Sequence, residues 1–309
     1  MLLCAITFFA LQIRVLIFLN GRLVPAEDAV VSIFDRGFLY GDGLFESMCV
    51  SNGKPFRWTQ HLERLQRGAD FLKIKMPYSA ESLRKSVDDL VARNKMPNAL
   101  IRLTLSRGVG VRGYSPKDAD KPTVVLALHP GSPTSDSVPH WKLVVSSQRL
   151  PAGDPLTQFK TCNKLPQILA RAEADTAGAD EALLSNTDGF VVEGASSNLF
   201  WIKQEKVYSP PLVAGILPGV TRAAVWEICQ SLGIAVNEEN IRAEELNRTD
   251  GVFLSLSSLG VVEATSLNEK VFGRSPLLAK ISQAYRKLVE DECGRPGIDS
   301  RPTLATLSK

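Results

Sequence analysis

Two short stretches carry side chains whose types and spacing could do chemistry. The first is Gln158-Phe159-Lys160-Thr161-Cys162-Asn163-Lys164-Leu165. A lysine attacks an aldehyde only as the free amine, so it must sit where burial or a neighbouring cation lowers its pKa. Lys160 follows a loop rich in Pro, Gly and Asp, from Pro151 to Pro155, and precedes the periodic apolar run Leu165, Ile168, Leu169 and Ala172. That is a loop-to-helix junction, where a side chain can point into a cleft. The plainer reading is a solvated lysine at a helix start, and nothing local separates Lys160 from Lys164. The second stretch is Val192-Glu193-Gly194-Ala195-Ser196-Ser197-Asn198-Leu199-Phe200. It puts a carboxylate at the end of an apolar strand, beside a turn of small residues that lets a ligand approach closely. Such a carboxylate is costly to bury without a cationic partner, and a protonated ring nitrogen would be one. A surface hairpin with an ordinary glutamate is the bland alternative.

The elements that must position these groups are readable from periodicity. Val15 to Leu19 reads as a strand, Asn20-Gly21 as a two-residue hairpin turn and Arg22 to Val24 as the return. Leu62, Leu65, Ala69 and Leu72 have helical spacing, and Ala80 to Arg93 is a second amphipathic helix with Ser79 at its N-cap. Ala99 to Leu105 alternates as a strand and delivers Ser106-Arg107-Gly108-Val109-Gly110-Val111-Arg112-Gly113-Tyr114. Two arginines on a glycine-rich loop after a strand, Arg107 and Arg112, suit carboxylates; a solvated loop is the alternative. Thr123 to Leu128 is a further strand, and His129 to Asp136 has linker composition. In the second half, Trp141 to Ser146, Glu181 to Leu184, Phe190 to Val192, Asn198 to Ile202 and Lys206 to Ser209 read as strands. The Lys160 region runs into a helix ending near Ala177. Ile216-Leu217-Pro218-Gly219-Val220-Thr221-Arg222 opens a helix to Leu232, whose free N–H groups with the Thr221 hydroxyl make either an anion site or an ordinary cap. Gly251 to Val262 reads as a strand ending in small hydroxyl residues, and Leu277 to Asp291 as a closing helix.

The domain organisation expected is an extra N-terminal segment (1–14), an N-terminal α/β domain (15–130), a linker (131–137), a C-terminal domain (138–292) and a disordered tail rich in Pro, Ser and Thr (293–309). With 309 residues, 44% hydrophobic, the chain is long enough for two cores. A net charge of +3 without a basic run argues against nucleic acid. Five scattered cysteines, odd in number and without metal spacing, imply a reducing, cytoplasmic setting. Three isolated histidines argue against a metal site or a triad. Met1 to Leu19 is apolar, but it lacks a basic start and a cleavage site, and Gln12 and Arg14 interrupt it. A misassigned start or a short extra segment fits better than export.

Lys160 with Asn163 three residues on, then VEGASSNLF, then Leu217-Pro218-Gly219-Val220-Thr221-Arg222, resembles the class IV aminotransferases. These are fold type IV pyridoxal-phosphate enzymes with the two-domain α/β (α+β) fold of D-amino acid aminotransferase. The resemblance runs from about Phe18 to about Glu290. It implies pyridoxal 5'-phosphate as cofactor, Lys160 as the catalytic amine that carries it and Glu193 on its ring nitrogen. It also implies Arg64 of the His61-Leu62-Glu63-Arg64-Leu65 segment, Gly219, Val220, Thr221 and Ser257 on the phosphate, with Ser197 and Asn198 in the cofactor pocket. Tyr40 and Ser47 of the Tyr40-to-Ser47 segment fall on the substrate side, with Arg107, Arg112, Tyr114 and Ser258. A small amine or amino acid and a keto acid are the implied partners, in a homodimer. Within the family the RGVGVRGY loop, Ser47, and Ser257-Ser258 with Leu259-Gly260 lean toward the aminodeoxychorismate lyases. A D-amino acid or branched-chain transaminase is the alternative, and a non-catalytic binder on the same fold a remote one.

Overall fold

The computed structural model describes residues 15–131 and 137–294. The expected N-terminal segment, the core of the linker and the tail beyond Gly294 lie outside the described residues. The first half builds one antiparallel sheet. Its strands are β1 (Leu16–Leu19), β2 (Arg22–Pro25), β3 (Gly43–Ser51), β4 (Lys54–Pro55), β5 (Ala99–Ser106) and β6 (Thr123–Pro130), ordered β2-β1-β6-β5-β3-β4. Asn20 and Gly21 both take positive φ, as the tight turn between β1 and β2 requires. Three helices belong to this half: α1 (Arg36–Tyr40), α2 (Trp58–Leu72) and α3 (Ala80–Asn94). Ser79 caps α3 by accepting from Ser82 N, as its position predicts. The period-two pattern of β3 and β5 sends Leu44, Met48, Val50, Ile101, Leu103 and Leu105 into a core shared with Leu62, Leu65, Leu83 and Leu90 of the helices.

Alternation also sends Phe45, Ser47 and Cys49 to the opposite face of β3. In the register of β3 against β5, Ser47 lies opposite Arg102. That face bears on the functional site.

The second half contains β7 (His140–Leu150), α4 (Leu165–Thr176), β8 (Glu181–Asn186), β9 (Val191–Gly194), β10 (Asn198–Lys203), β11 (Lys206–Ser209), α5 (Val220–Ser231), β12 (Val236–Glu238), α6 (Ala243–Leu246), β13 (Gly251–Leu256), β14 (Gly260–Leu267), β15 (Lys270–Val271) and α7 (Pro276–Cys293). The strands run β12-β11-β10-β13-β14-β7-β8-β9, and β9 pairs back onto β10. Six of them therefore close a ring, sealed between β9 and β10 by the pair Glu193–Asn198. Leu143, Leu183, Leu199, Trp201, Leu254 and Val262 fill one side. Phe200, Phe253 and Val261 face outward onto α5 and α7.

One expected element is wrong in detail. Gly251 to Val262 is not a single strand: it breaks at Ser257-Ser258-Leu259, and β13 returns as β14 with Leu256 opposite Gly260. A run of small and apolar residues cannot show that turn by periodicity. Gly260 has positive φ and lies against the Tyr285 ring, so the turn is fixed from α7.

Candidate functional site

Lys160 lies on a short extended segment before α4. Phe45 N donates to Lys160 O at 2.9 Å, Cys162 N donates to Gly43 O at 2.9 Å, and Leu44 bridges Thr161. Backbone pairing to β3 thus fixes the segment, and the Lys160 ammonium rests 4.6 Å from the centre of the Phe45 ring. Burial lowers its pKa to about 8, and the nearby Arg64 guanidinium pushes the same way. Lys164 is half-buried at the N-terminus of α4; burial lowers its pKa as well, against the pull of Glu193. Both lysines therefore face one anionic neighbourhood.

Arg64 projects from α2 and is 4% exposed. Its Nε and Nη2 donate to the two oxygens of Glu46 at 2.8 and 2.6 Å, and its Nη1 donates to Pro218 O at 3.0 Å. His61, one turn earlier, meets Glu46 Oε2 at 2.7 Å. The Glu46 carboxyl is held at about 2, because Arg64 and His61 outweigh the burial that would raise it. Burial pushes the His61 pKa down, against the pull of the Glu46 carboxylate. Glu46 and His61 were not among the expected site residues. Glu46 breaks the apolar alternation of the inward face of β3, which is the one sequence signal it carries.

The Pro218 contact brings Arg64 to the N-terminus of α5. Gly219 caps that helix, and the first backbone bond across its start runs from Ala223 N to Gly219 O. The N–H groups of Val220 and Thr221 are left for an anion. Asn198 donates from Nδ2 to Leu217 O at 2.8 Å, and its side-chain oxygen occupies the place a Cβ on residue 219 would take. Only glycine fits there. Burial raises the pKa of the Tyr285 phenol, which stands beside the 257–260 turn, and the nearby Thr221 hydroxyl pulls the other way. Ser255, opposite Asn198 and on the same face as Phe253, has a buried hydroxyl with no partner among the described residues.

Glu193 closes the ring of strands opposite Asn198. Its Oε2 accepts from Leu217 N at 3.0 Å, and burial raises its pKa. No protein cation hydrogen-bonds it among the described residues. Arg64, Glu193, Asn198 and the Gly219–Thr221 start of α5 are thus linked by short contacts; Lys160 lies close enough to Arg64 and Glu193 for their charges to shift its amine, and Ser257 and Ser258 sit in the half-buried turn against Tyr285. Ser197 departs from expectation. Its hydroxyl, with Ser196 N and the Ser196 hydroxyl, donates to the buried Glu181 at 3.3, 3.1 and 2.6 Å. Its hydroxyl is thus turned onto Glu181, where it supports the turn.

The expected substrate residues form a second group. Tyr40 ends α1, and its hydroxyl accepts from Gly113 N at 3.1 Å while its ring meets Tyr114 edge-on at 5.6 Å. Arg107 departs from expectation. It is 7% exposed and makes four hydrogen bonds: two to the Asp42 carboxylate and one each to the Leu72 and Lys73 carbonyls. Those groups satisfy its charge and most of its donors, so it braces the loop instead of presenting a free fork. Arg112 stays exposed and without a protein partner among the described residues. A cavity of about 300 Å³ lies at this second group, walled by Arg36, Tyr40, Asp42, Arg107 and Tyr114 together with Thr161 and Asn163 of the lysine segment. Lys160 itself is not one of its walls.

Arg102 was missed. It stands opposite Ser47, its guanidinium lies 3.9 Å from the Phe45 ring centre, and no carboxylate or hydrogen-bond acceptor meets it among the described residues. Burial lowers its pKa. A half-buried guanidinium with open donors beside the Lys160 ring contact is suited to a carboxylate from outside the chain. In the sequence it is only a cation on the half-exposed face of a strand.

Comparison with known proteins now gives these contacts a class. The family model "Amino-transferase class IV" matches residues 43–267, and the chain belongs to this pyridoxal-phosphate-dependent enzyme family. A putative branched-chain-amino-acid aminotransferase of Methanocaldococcus jannaschii is 34% identical over 89% of this chain and 94% of its own length. Aminodeoxychorismate lyase of Bacillus subtilis is 33% identical over 91% of this chain and 98% of its own. The crystal structure of a branched-chain aminotransferase from the archaeon Thermoproteus uzoniensis, solved with norvaline, has a TM-score of 0.84 and 30% identity, covering 91% of this chain and 97% of that one. The fold is therefore that of the fold type IV aminotransferases. Among the described residues no helix is long and apolar enough to cross a membrane, and no cluster of His, Cys, Asp and Glu could hold a metal ion.

Proposed function

We propose that this chain binds pyridoxal 5'-phosphate and uses Lys160 as its catalytic amine. The observation that carries this is the buried Lys160 amine over the Phe45 ring, its pKa lowered to about 8 by burial and then by the Arg64 guanidinium, near the buried Glu193 carboxyl that no protein cation hydrogen-bonds among the described residues. The residues present fit the cofactor. The N–H groups of Val220 and Thr221, the orphaned Ser255 hydroxyl and Arg64 suit a phosphate, and Glu193 suits a protonated ring nitrogen. The cofactor would supply the electron sink. Lys160 Nζ then holds and moves the proton at the substrate carbon. Arg64 and the α5 terminus fix the anion, and Glu193 keeps the ring-nitrogen proton in place.

Within the family we favour aminodeoxychorismate lyase, which releases p-aminobenzoate and pyruvate from 4-amino-4-deoxychorismate. That substrate carries two carboxylates. The candidate regions hold two guanidinium groups that no protein carboxylate or hydrogen-bond acceptor meets among the described residues, Arg102, stacked on Phe45, and the exposed Arg112. Lys160 would take the ring proton as the enolpyruvyl group leaves. Amino transfer to a 2-keto acid is the second reading, supported by the similarity to the M. jannaschii protein. A homodimer belongs to the same proposal. Exposed Val30, Ile33, Phe34 and Phe38, leading into and through α1, are apolar surface that a second copy would cover.

One purified sample decides. Aminodeoxychorismate should yield p-aminobenzoate; D-alanine or L-leucine with 2-oxoglutarate should yield little keto acid. The reverse result selects the transaminase. Borohydride should fix the cofactor onto Lys160; a tag on Lys164, or no cofactor at all, rejects the proposal.

A further inference from the structure

Arg36 is a buried cation that the proposed chemistry does not use. It starts α1, is 3% exposed, and spends its guanidinium on one loop. Nη1 donates to Gly113 O at 2.8 Å and Ser115 O at 3.1 Å, and Nη2 donates to Tyr114 O at 3.0 Å. Nε donates to Asp42 Oδ2 at 2.8 Å. Three successive carbonyls of an irregular loop thus converge on one planar fork. A lysine has no such fork and could not reproduce this.

The loop has little else to hold it. Arg112 and Tyr114 are exposed, and Tyr114 is 87% so. Arg36 also shapes the loop sterically, because a Cβ at Gly110 would fall 2.9 Å from Arg36 Cδ. The Tyr40 hydroxyl accepts from Gly113 N, so α1 holds both the backbone donor and the backbone acceptor of Gly113. The grip extends to the lysine segment. Asp42 accepts from both Arg36 and Arg107, Gly41 O accepts from Asn163 Nδ2 at 3.3 Å, and Gly43 O accepts from Cys162 N.

We propose that Arg36 is a positioning residue for substrate recognition: by clamping the Gly113–Ser115 backbone against α1 it sets where Arg112 and Tyr114 stand relative to the Lys160 segment, and so sets affinity for a carboxylate-bearing substrate. This rests on reading the 107–114 loop as the substrate side of the site. Arg36 touches neither Lys160 nor the α5 terminus directly, so the proposal expects cofactor affinity to stay as in the wild type when Arg36 is replaced.

The test uses the full-length holoenzyme, wild type and the Arg36→Lys and Arg36→Met variants, with two readouts. Trypsin cleaves after the exposed Arg112, and its rate there reports the freedom of the loop backbone. Loss of three hydrogen bonds to a charged donor should speed that cleavage at least about tenfold in both variants. KM for the carboxylate-bearing substrate the wild type turns over should rise at least about tenfold, with kcat within about threefold and cofactor affinity unchanged. Wild-type cleavage rates in the variants, or a fall in kcat at unchanged KM, would overturn the proposal. If neither variant folds, Tyr40→Phe removes the acceptor of Gly113 N; because Tyr40 also walls the cavity, only the cleavage rate is read in it. That rate should rise to a smaller extent, and an unchanged rate would overturn the proposal. Should the wild type turn over neither aminodeoxychorismate nor an amino acid, the functional reading fails on its own. The cleavage rates then still decide whether Arg36 holds the loop.

Discussion

Titration of the Lys160 amine can be followed without any assumption about turnover. An ordinary lysine is half deprotonated at 10.5, whereas Lys160 is lowered to about 8. At pH 7 the free-amine fraction is then about one in eleven, against about one in three thousand for an ordinary lysine, an enrichment of about 300-fold. Burial is the first cause and Arg64 the second. Arg64→Met removes that cation and leaves Glu46 with His61 as its side-chain partner. Loss of the cation favours the charged ammonium, so the midpoint should move upward. The assay is competitive labelling of the cofactor-free protein with a trace amine reagent from pH 6 to 11, with each lysine quantified by peptide mapping. Wild-type Lys160 should label along a curve centred near 8, and Arg64→Met along one displaced to higher pH. A wild-type midpoint at 10 or above would refute the electrostatic reading of the site. So would an Arg64→Met midpoint that falls.

Other changes probe the supports around that amine. Glu46→Gln breaks a buried ion pair and should cost about 3–5 kcal/mol of stability, read from the denaturant midpoint. Because the folded-state pKa of Glu46 is depressed to about 2 from 4.5, its contribution is fully present above pH 4.5 and is lost as pH falls toward 2; the wild-type midpoint should drop across that window more than that of Glu46→Gln. Glu193→Gln should slow turnover by about two orders of magnitude or more while cofactor still binds, checked by kcat beside an equilibrium cofactor titration. Gly219→Ala must displace the Asn198 carboxamide, and should cost about 1–3 kcal/mol together with weaker binding of cofactor.

The sequence carried the fold well where local chemistry decides it: the Asn20-Gly21 turn, the Ser79 cap and the alternation of β5 all stand where pattern places them. It carried the site unevenly. The motifs single out Lys160 and Glu193, yet the pairing of the 160–162 backbone with β3, which sets Lys160 over the Phe45 ring, is something no spacing displays. Arg107 looks like a ligand arginine until Asp42, sixty-five positions away, is seen on it. Arg102 is the opposite case. Its neighbours in the chain are ordinary strand residues, and only the partner-free guanidinium over Phe45 marks it. Side-chain pairing across the fold decides both, and a linear pattern holds no record of it.

The ring of six strands closes through the pair Glu193–Asn198 alone between β9 and β10. Those two residues also reach the loop before α5, Glu193 through Leu217 N and Asn198 through Leu217 O. Whatever seats itself between Glu193 and the α5 terminus therefore acts as a staple across the least-stitched joint of the barrel. Occupancy and closure become two sides of one equilibrium. Amides along 193–198 and 217–221 should exchange with solvent more slowly once that staple is in, while those of β13 and β14, stitched along their whole length, should hardly notice.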